Sequence, residues 1–212
     1  IDGSLYFNEM KIDLIYRRIV TVEFIEKNKE IPDLINAYKD GAVCIIGSLR
    51  SQIMHNKIIF KILHDKETLE FLTEEEIKFI KDHIPYTEEF TGDRKIFDEV
   101  LNNKDRYIIK PMDSFASQGV YAGVDLTRDE WKEILDKSWN RDYLFQEFMD
   151  PPVRPFVQFE EGRLKVEDFK LNIGAFMYNE TFAGLYTRIS KDNIIFGREG
   201  YYSIPNVLVK EK

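Results

Sequence analysis

The apolar positions of the chain fall into short strand-like runs at the start, helical spacing through the middle, and strand-like runs again in the last third. Leu5–Phe7 and Ile12–Tyr16 flank the polar NEMK and read as a β-hairpin. Residues 31–39 (IPDLINAYK) carry apolar positions at helical spacing and stop at Gly41, a C-terminal cap. Ala42–Ile46 reads as a short buried strand, and Gln52–Leu63 as one helix. At Leu72 the chain reads LTEEE. Thr73 can cap the free amides, and Glu76 stands three residues on, so a capping box opens a helix that runs to His83 and ends before Pro85. Arg94–Asn102 is a further helix. Tyr107–Ile109 and Val120–Ala122 are strands around a loop of small residues. Thr127 and Glu130 form a second capping box and open a helix through Ser138. Tyr143–Met149 is a strand stopped by Pro151 and Pro152. Val153–Phe159, Arg163–Asn172, Ala175–Tyr178 and Phe182–Ile189 are strands, with EEGR and YNET as turns. No repeat or low-complexity segment interrupts this order. Helices mixed with antiparallel hairpins point to an α+β, or mixed α/β, fold.

A length of 212 residues suits one large domain or two small ones. With 43% hydrophobic and 32% charged residues the chain can bury a core. The formal charge of -8 argues against non-specific binding to nucleic acid or to an anionic membrane, but leaves room for one basic pocket. Cys44 is the sole cysteine, so no internal disulfide forms and nothing asks for an oxidising compartment. Its apolar neighbours predict a core position. No apolar run approaches the ~20 residues of a membrane span, and no signal peptide is visible, so a cytoplasmic location is expected. The chain starts at Ile1 and enters a strand almost at once, which suggests a piece of a longer protein.

The chemistry concentrates in DRYIIKPMDSFASQGVYAG, residues 105–123. Lys110 ends an apolar strand, where an ammonium without a partner costs several kcal/mol. Ser114, Ser117 and Gly119 follow in a loop whose small residues let backbone amides approach phosphate oxygens. The lysine precedes the loop, so this is not the Walker arrangement. The plainer alternative is a surface hairpin whose lysine pairs with a carboxylate. Downstream, YLFQEFMDPP leaves regular strand geometry at a double proline. There the peptide groups of Glu147, Phe148 and Met149 are expected to be free for an adenine edge, with Phe148 and Met149 against the ring; an ordinary proline-stopped strand is the alternative. His55, His64 and His83 lack metal-ligand spacing and read as surface or packing residues.

The order of these pieces resembles the ATP-grasp fold. More narrowly it is similar to the circularly permuted, glutathionylspermidine-synthase-like ATP-grasp proteins. The resemblance rests on IDLIYRR, HNKIIFKILHD, FLTEEEIKFIKDHIPYT, the strand–Lys–Pro–loop unit, DEWKEIL, and LNIGAFMYNETFAGLYTRIS, over about residues 5–205. It implies two small sheet-plus-helix lobes around a nucleotide cleft. A partial N-terminal or central region spans 1–55 and the nucleotide-binding region 56–212, with 105–150 as the small lid lobe. It implies an ADP-forming ligase that joins a small-molecule carboxylate and an amine through an acylphosphate, with ATP and Mg2+ as cofactors. A non-catalytic module for nucleotide sensing or protein contact is the alternative function.

Carried over by position, Lys110 and Lys57 face the nucleotide phosphates, and Ser114, Ser117, Gln118 and Gly119 form the lid. Gln146, Glu147, Phe148 and Met149 border the adenine, and Asp150 reaches the ribose. Arg188 faces the transferred phosphate or the substrate carboxylate, or else pairs with Asp168 or Glu167. Arg17 and Arg18 follow a strand and point to opposite faces, with Arg17 the preferred catalytic candidate. Lys57 reads otherwise as a solvated helix lysine. The family also needs an acid and a Glu-x-Asn pair for magnesium. No Glu-x-Asn follows Arg188, and Asp168 and Asn172 are the weak metal candidates. This chain by itself is therefore expected to bind ATP weakly or not at all, and not to turn over. Release of ADP by the purified chain, supplied with magnesium and any amine–carboxylate pair, contradicts that expectation.

Overall fold

The computed structural model describes residues 3–195 and 200–210. The chain divides into two compact units, Ile1–Asn56 and Lys57–Lys212.

In the first unit β1 (Leu5–Phe7) pairs antiparallel with β2 (Met10–Ile12). The turn is placed by Asn8 at φ 53, a left-handed conformation that asparagine tolerates. The expected second arm, Ile12–Tyr16, is two strands. At Asp13 the chain changes partner: the Asp13 carbonyl accepts from the Cys44 amide, and β3 (Leu14–Tyr16) runs parallel to β4 (Cys44–Ile46). Between them lie α1 (Thr21–Glu26) and α2 (Pro32–Lys39). The second starts with proline in its first turn and stops before Gly41 at φ +70. Ala37, Val43 and Ile45 form the core, with Leu5, Ile12, Ile15 and Leu34 packed on it. Strand alternation that turns Val43 and Ile45 inward turns Cys44 outward. The thiol is exposed, not in the core as its neighbours predict.

The helix expected over Gln52–Leu63 is interrupted. A short α3 (Gln52–His55) ends at Asn56, which is extended (φ -71, ψ 125), and α4 (Ile58–Ile62) begins after Lys57. The Lys57 amide bonds to the Met112 carbonyl at 2.8 Å instead of continuing the helix. A distant acceptor has overridden a periodic pattern.

The second unit continues with α5 (Lys66–Leu69), α6 (Glu74–His83), β5 (Thr87–Glu89), α7 (Arg94–Asn102), β6 (Tyr107–Pro111), β7 (Tyr121–Ala122), α8 (Arg128–Ser138) and β8 (Tyr143–Glu147). Both capping boxes form: the Thr73 and Thr127 amides each donate at 2.8 Å to the glutamate three residues on. The strands make an antiparallel sheet in the order β5-β8-β6-β7. One face holds Tyr107, Ile109 and Phe145 against Phe97 and Val100 of α7, Trp131 and Leu135 of α8, and Phe90. Trp131 is fully buried and its Nε1 donates to the Val100 carbonyl at 3.0 Å, tying α8 to α7. Each such side chain stabilises by roughly 1.5–3 kcal/mol. Because that face is odd-numbered, Ile108, Lys110 and Gln146 project from the other.

A second antiparallel sheet has the order β12-β11-β10-β9, with β9 Val153–Glu160, β10 Arg163–Tyr178, β11 Thr181–Ser190 and β12 Tyr201–Ile204. The two strands expected over Arg163–Asn172 and Ala175–Tyr178 are one, running through Gly174. Both units mix helix with small sheets, the α+β class expected. Among the described residues no helix is long and apolar enough to cross a membrane.

One glycine is fixed by packing. A Cβ on Gly123 falls 1.9 Å from the Lys104 carbonyl oxygen, a backbone atom that cannot step aside cheaply. Gly123→Ala is expected to lower unfolding free energy by about 3 kcal/mol in urea titrations. A variant within about 0.5 kcal/mol of the parent contradicts this packing.

Candidate functional site

A cleft of about 230 Å³ opens on the face of the first sheet opposite its aromatic core. Ile108, Lys110 and Gln146 line it from the strands, Glu147, Phe148, Met149 and Pro151 from the end of β8, and Asn172, Asn193 and Ile195 from the second sheet and the segment after β11. A neighbouring cavity of about 480 Å³ shares Asn193 and is bordered by Ser117, Val120, Asp125 and Lys191.

Lys110 projects into this cleft from β6. Its Nζ donates to Gln146 Oε1 at 2.6 Å. Among the described residues no carboxylate pairs with it, which goes against the surface-hairpin alternative. Burial, and then repulsion from the Lys57 ammonium, push its pKa down to about 8. Lys57 Nζ donates to the Ser114 carbonyl at 2.7 Å. Burial lowers the Lys57 pKa, and Asp113 opposes the shift. Lys57 is therefore not a solvated helix lysine. The two ammonium groups stand near enough to repel each other; Lys110 bonds to a neutral amide oxygen, and Lys57 to a carbonyl with the Asp113 carboxylate also acting on it.

The loop between β6 and β7 is tied to Lys57 through Ser114. Ser114 Oγ donates to the Gln118 carbonyl at 3.1 Å. Ala116, Ser117 and Gly119 all have positive φ (52, 55 and 71). Gly119 is required twice over, since a Cβ there also comes 3.0 Å from the Tyr143 hydroxyl. Ser117 faces the neighbouring cavity, and Gln118 is exposed.

The end of β8 corrects one expectation. The Glu147 amide donates to the Tyr86 carbonyl at 2.9 Å and the Phe148 amide to the Arg106 carbonyl at 2.8 Å. Flanking segments take both groups, which leaves the Met149 amide, unbonded among the described residues. The Gln146 side chain holds Lys110 and does not reach outward. Asp150 pairs with Lys170 at 3.4 Å on the rim.

In the second sheet Asn172 lies directly opposite Arg188, so both share one face. The Arg188 guanidinium stands 4.4 Å over the Tyr186 ring. Lys191 Nζ bonds to the Glu167 carboxylate, one of the partners suggested for Arg188, and to the Asp168 backbone carbonyl, both at 2.8 Å. Asp168 and Asn172 are four residues apart, roughly 13 Å along a strand, so they cannot ligate one ion together. Among the described residues no group of three His, Cys, Asp or Glu could hold a metal. The described residues therefore hold no ready-made cluster of acidic ligands, although Mg2+ bound through phosphates and one or two carboxylates needs none.

Arg17 belongs to the first unit and is turned inward. Its guanidinium donates to the carbonyls of Gly47, Ile19 and Ser48, and to Ser51 Oγ at 2.9 Å. It clasps the ends of β3 and β4, and the exposed neighbour is Arg18. Of the three histidines, His83 stacks on Phe79, and His64 is packed against Tyr86.

Two residues escaped the sequence reading. Lys170 lies two positions before Asn172 on the same strand face and bonds to Asn193. Asn193 in turn donates to Asp125. The alternation DxKxN in residues 168–172 was the available signal for Lys170. Asn193 carries no local pattern.

The family comparison meets this geometry. A family model described as circularly permuted ATP-grasp type 2 matches residues 4–190. The chain belongs to that family. ATP-grasp proteins generally carry out ATP-dependent carboxylate–amine ligation with ATP and Mg2+, so this chain is of an ATP-dependent ligase type. No curated protein matches it.

The sign of the lysine's pH linkage follows from its depressed pKa. Between pH 8 and the ordinary lysine value of 10.5, the unfolded chain holds a proton at Lys110 that the folded chain has released. Stability from this group therefore rises with pH through that window. Relative to Lys110→Met, the parent is expected to gain on the order of 1–2 kcal/mol between pH 7.5 and 9.5 in denaturant titrations. Parallel pH profiles for parent and variant contradict the buried, unpaired state of this ammonium.

Proposed function

We propose that the chain carries the ATP-binding part of an ADP-forming carboxylate–amine ligase, of the glutathionylspermidine-synthase-like kind, working through an acylphosphate. The observation that carries this reading is the nearness of the Lys57 ammonium to that of Lys110, which enters the cleft and, among the described residues, bonds to a neutral amide oxygen. Such a pair calls for a polyanion, and a triphosphate beneath the Ser114–Gly119 loop supplies it.

In this reading a carboxylate oxygen of the substrate attacks the γ-phosphorus of ATP, and the bond to the ADP oxygen breaks. The amine then attacks the acyl carbon, inorganic phosphate leaves, and the amine's proton passes to solvent or base. Lys110 and Lys57 hold the phosphates as negative charge moves toward ADP. Arg188, on the Asn172 face of the second sheet, faces the phosphoryl group as it passes to the substrate carboxylate, or that carboxylate itself. Phe148 and Met149 cover the base, and the Met149 amide is the group left to read its edge. The loop between β6 and β7 acts as the lid. Mg2+, where bound, would offset charge on the phosphates; the described residues offer it no cluster of three acidic, His or Cys ligands. The partners are a small carboxylate and a small amine; neither nucleic acid nor membrane takes part.

Thermal denaturation with millimolar ATP and magnesium tests this. The parent's midpoint is expected to rise a little, as weak binding allows at millimolar ligand, because a ligand of the folded state stabilises by mass action, and Lys110→Ala is expected to abolish the rise. A parent that does not respond, or a variant that responds equally, contradicts the nucleotide reading. Removal of the response by ADP alone, without any ligation in the longer protein, would favour a sensing module.

A further inference from the structure

Among the described residues Gln146 is the side chain bonded to the Lys110 ammonium, and its amide is held at both ends. Its Oε1 accepts from Lys110 Nζ at 2.6 Å, while its Nε2 donates to Thr87 Oγ1 at 2.6 Å. The Thr87 hydroxyl spends its own proton on the Pro85 carbonyl at 3.0 Å. Each group in the line has one role only. A backbone carbonyl can only accept, so the hydroxyl must donate to it. The hydroxyl oxygen is then left to accept, so the amide must present nitrogen to it. The oxygen is thereby turned toward the lysine. Thr87 is 1% exposed, so water does not offer it an alternative partner, and Gln146, at 8%, meets solvent only where it lines the cleft.

We propose that Thr87 is a positioning residue: through Gln146 it fixes an amide oxygen, rather than an NH2 group, against Lys110, and so sets how readily that lysine is charged and how firmly it is aimed at an anion in the cleft. The proposal deepens the ATP-binding reading and rests on it for the identity of the anion. The placement is structural in origin. Thr87 lies directly opposite Gln146 across the β5–β8 pair, and Gln146 lies opposite Ile108 across β8–β6, with Lys110 diagonal to it. Three adjacent strands thus pass one orientation from edge to centre.

Without Thr87 Oγ1, a buried NH2 group loses its acceptor, and the bond from the ammonium alone is left to hold the amide oxygen in place, so the amide is less firmly fixed. A flipped amide presents its NH2 to a cation and disfavours the charged lysine. The other charged groups around Lys110 are Lys57, which repels it, Asp113, which acts on Lys57, and Glu147 of the same cleft, whose Oε2 accepts from the Tyr86 amide. Asn172 and Asn193 face it without charge from the second sheet side. None of these contacts Thr87, so a change at Thr87 reaches Lys110 through the amide.

The test is an NMR titration of lysine 13Cε shifts in the full chain without nucleotide, with the Lys110 signal assigned by its loss in Lys110→Met. Thr87→Val keeps the volume and removes the acceptor; Thr87→Ser keeps the hydroxyl. The Lys110 midpoint is expected to move to lower pH in Thr87→Val and to stay at the parent's position in Thr87→Ser. ATP affinity at pH 7.5 is expected to fall about tenfold in Thr87→Val alone. An unmoved midpoint in Thr87→Val, equal movement in both variants, or a moved midpoint with unchanged ATP affinity overturns the proposal. Should Thr87→Val not fold, exchange of the Gln146 side-chain NH2 protons in the parent decides. Protection supports the fixed amide, and exchange as fast as an exposed amide overturns it. Since the midpoints are read without nucleotide, a parent that fails to bind ATP refutes the functional reading and leaves this test standing.

Discussion

The Lys110 ammonium is the constraint around which the second unit is arranged. It sits on a strand within a sheet, largely out of water, with one neutral amide oxygen as partner and a second cation nearby. A neutral acceptor recovers only part of the hydration that burial removes. The remaining cost is borne by the fold as long as the cleft lacks an anion. An anion between Lys57 and Lys110 reverses both unfavourable contributions at once, desolvation and mutual repulsion. The site is therefore less stable than its surroundings would permit, and that instability is what makes it selective for a highly charged ligand.

The aromatic core explains how the lysine is held in place. Tyr107, Ile109 and Phe145 are locked into one face of the sheet by α7 and α8, so the intervening residues have no choice of side. A register slip of one residue would bury Lys110 among Phe97, Trp131 and Leu135 and expose Ile109. The energy that fixes the catalytic-side face is thus spent on the opposite face, in apolar packing that never touches a ligand. Trp131, bonded to the Val100 carbonyl, is the clearest case of a residue remote from the cleft on which the cleft's geometry depends.

Local features of the chain were legible in advance. The helices at 94–102 and 128–138 and both capping boxes follow from spacing and side-chain chemistry within a few residues, and the structure has them at those positions. The errors occur where a distant group decides. Asn56 breaks the periodic run at 52–63 because the Met112 carbonyl captures the Lys57 amide. Arg17 is turned inward by the carbonyls of residues 19, 47 and 48. The amides of Glu147 and Phe148 are taken by Tyr86 and Arg106, which no pattern in YLFQEFMDPP announces. Lys110 was singled out by the strand–lysine–loop pattern and Lys57 by family order, whereas Thr87 and Asn193 enter only through contacts made across the fold.

The central claim is that Lys57 and Lys110 together form the phosphate end of a nucleotide cleft. It is tested most directly by a crystal structure of the chain soaked with a non-hydrolysable ATP analogue. The geometry predicts phosphate oxygens within hydrogen-bond distance of both Nζ atoms, beneath the loop at 114–119, with the base against Phe148 and Met149. A triphosphate bound elsewhere, or a cleft that stays free of the analogue while Lys110 keeps only its bond to Gln146, would contradict it.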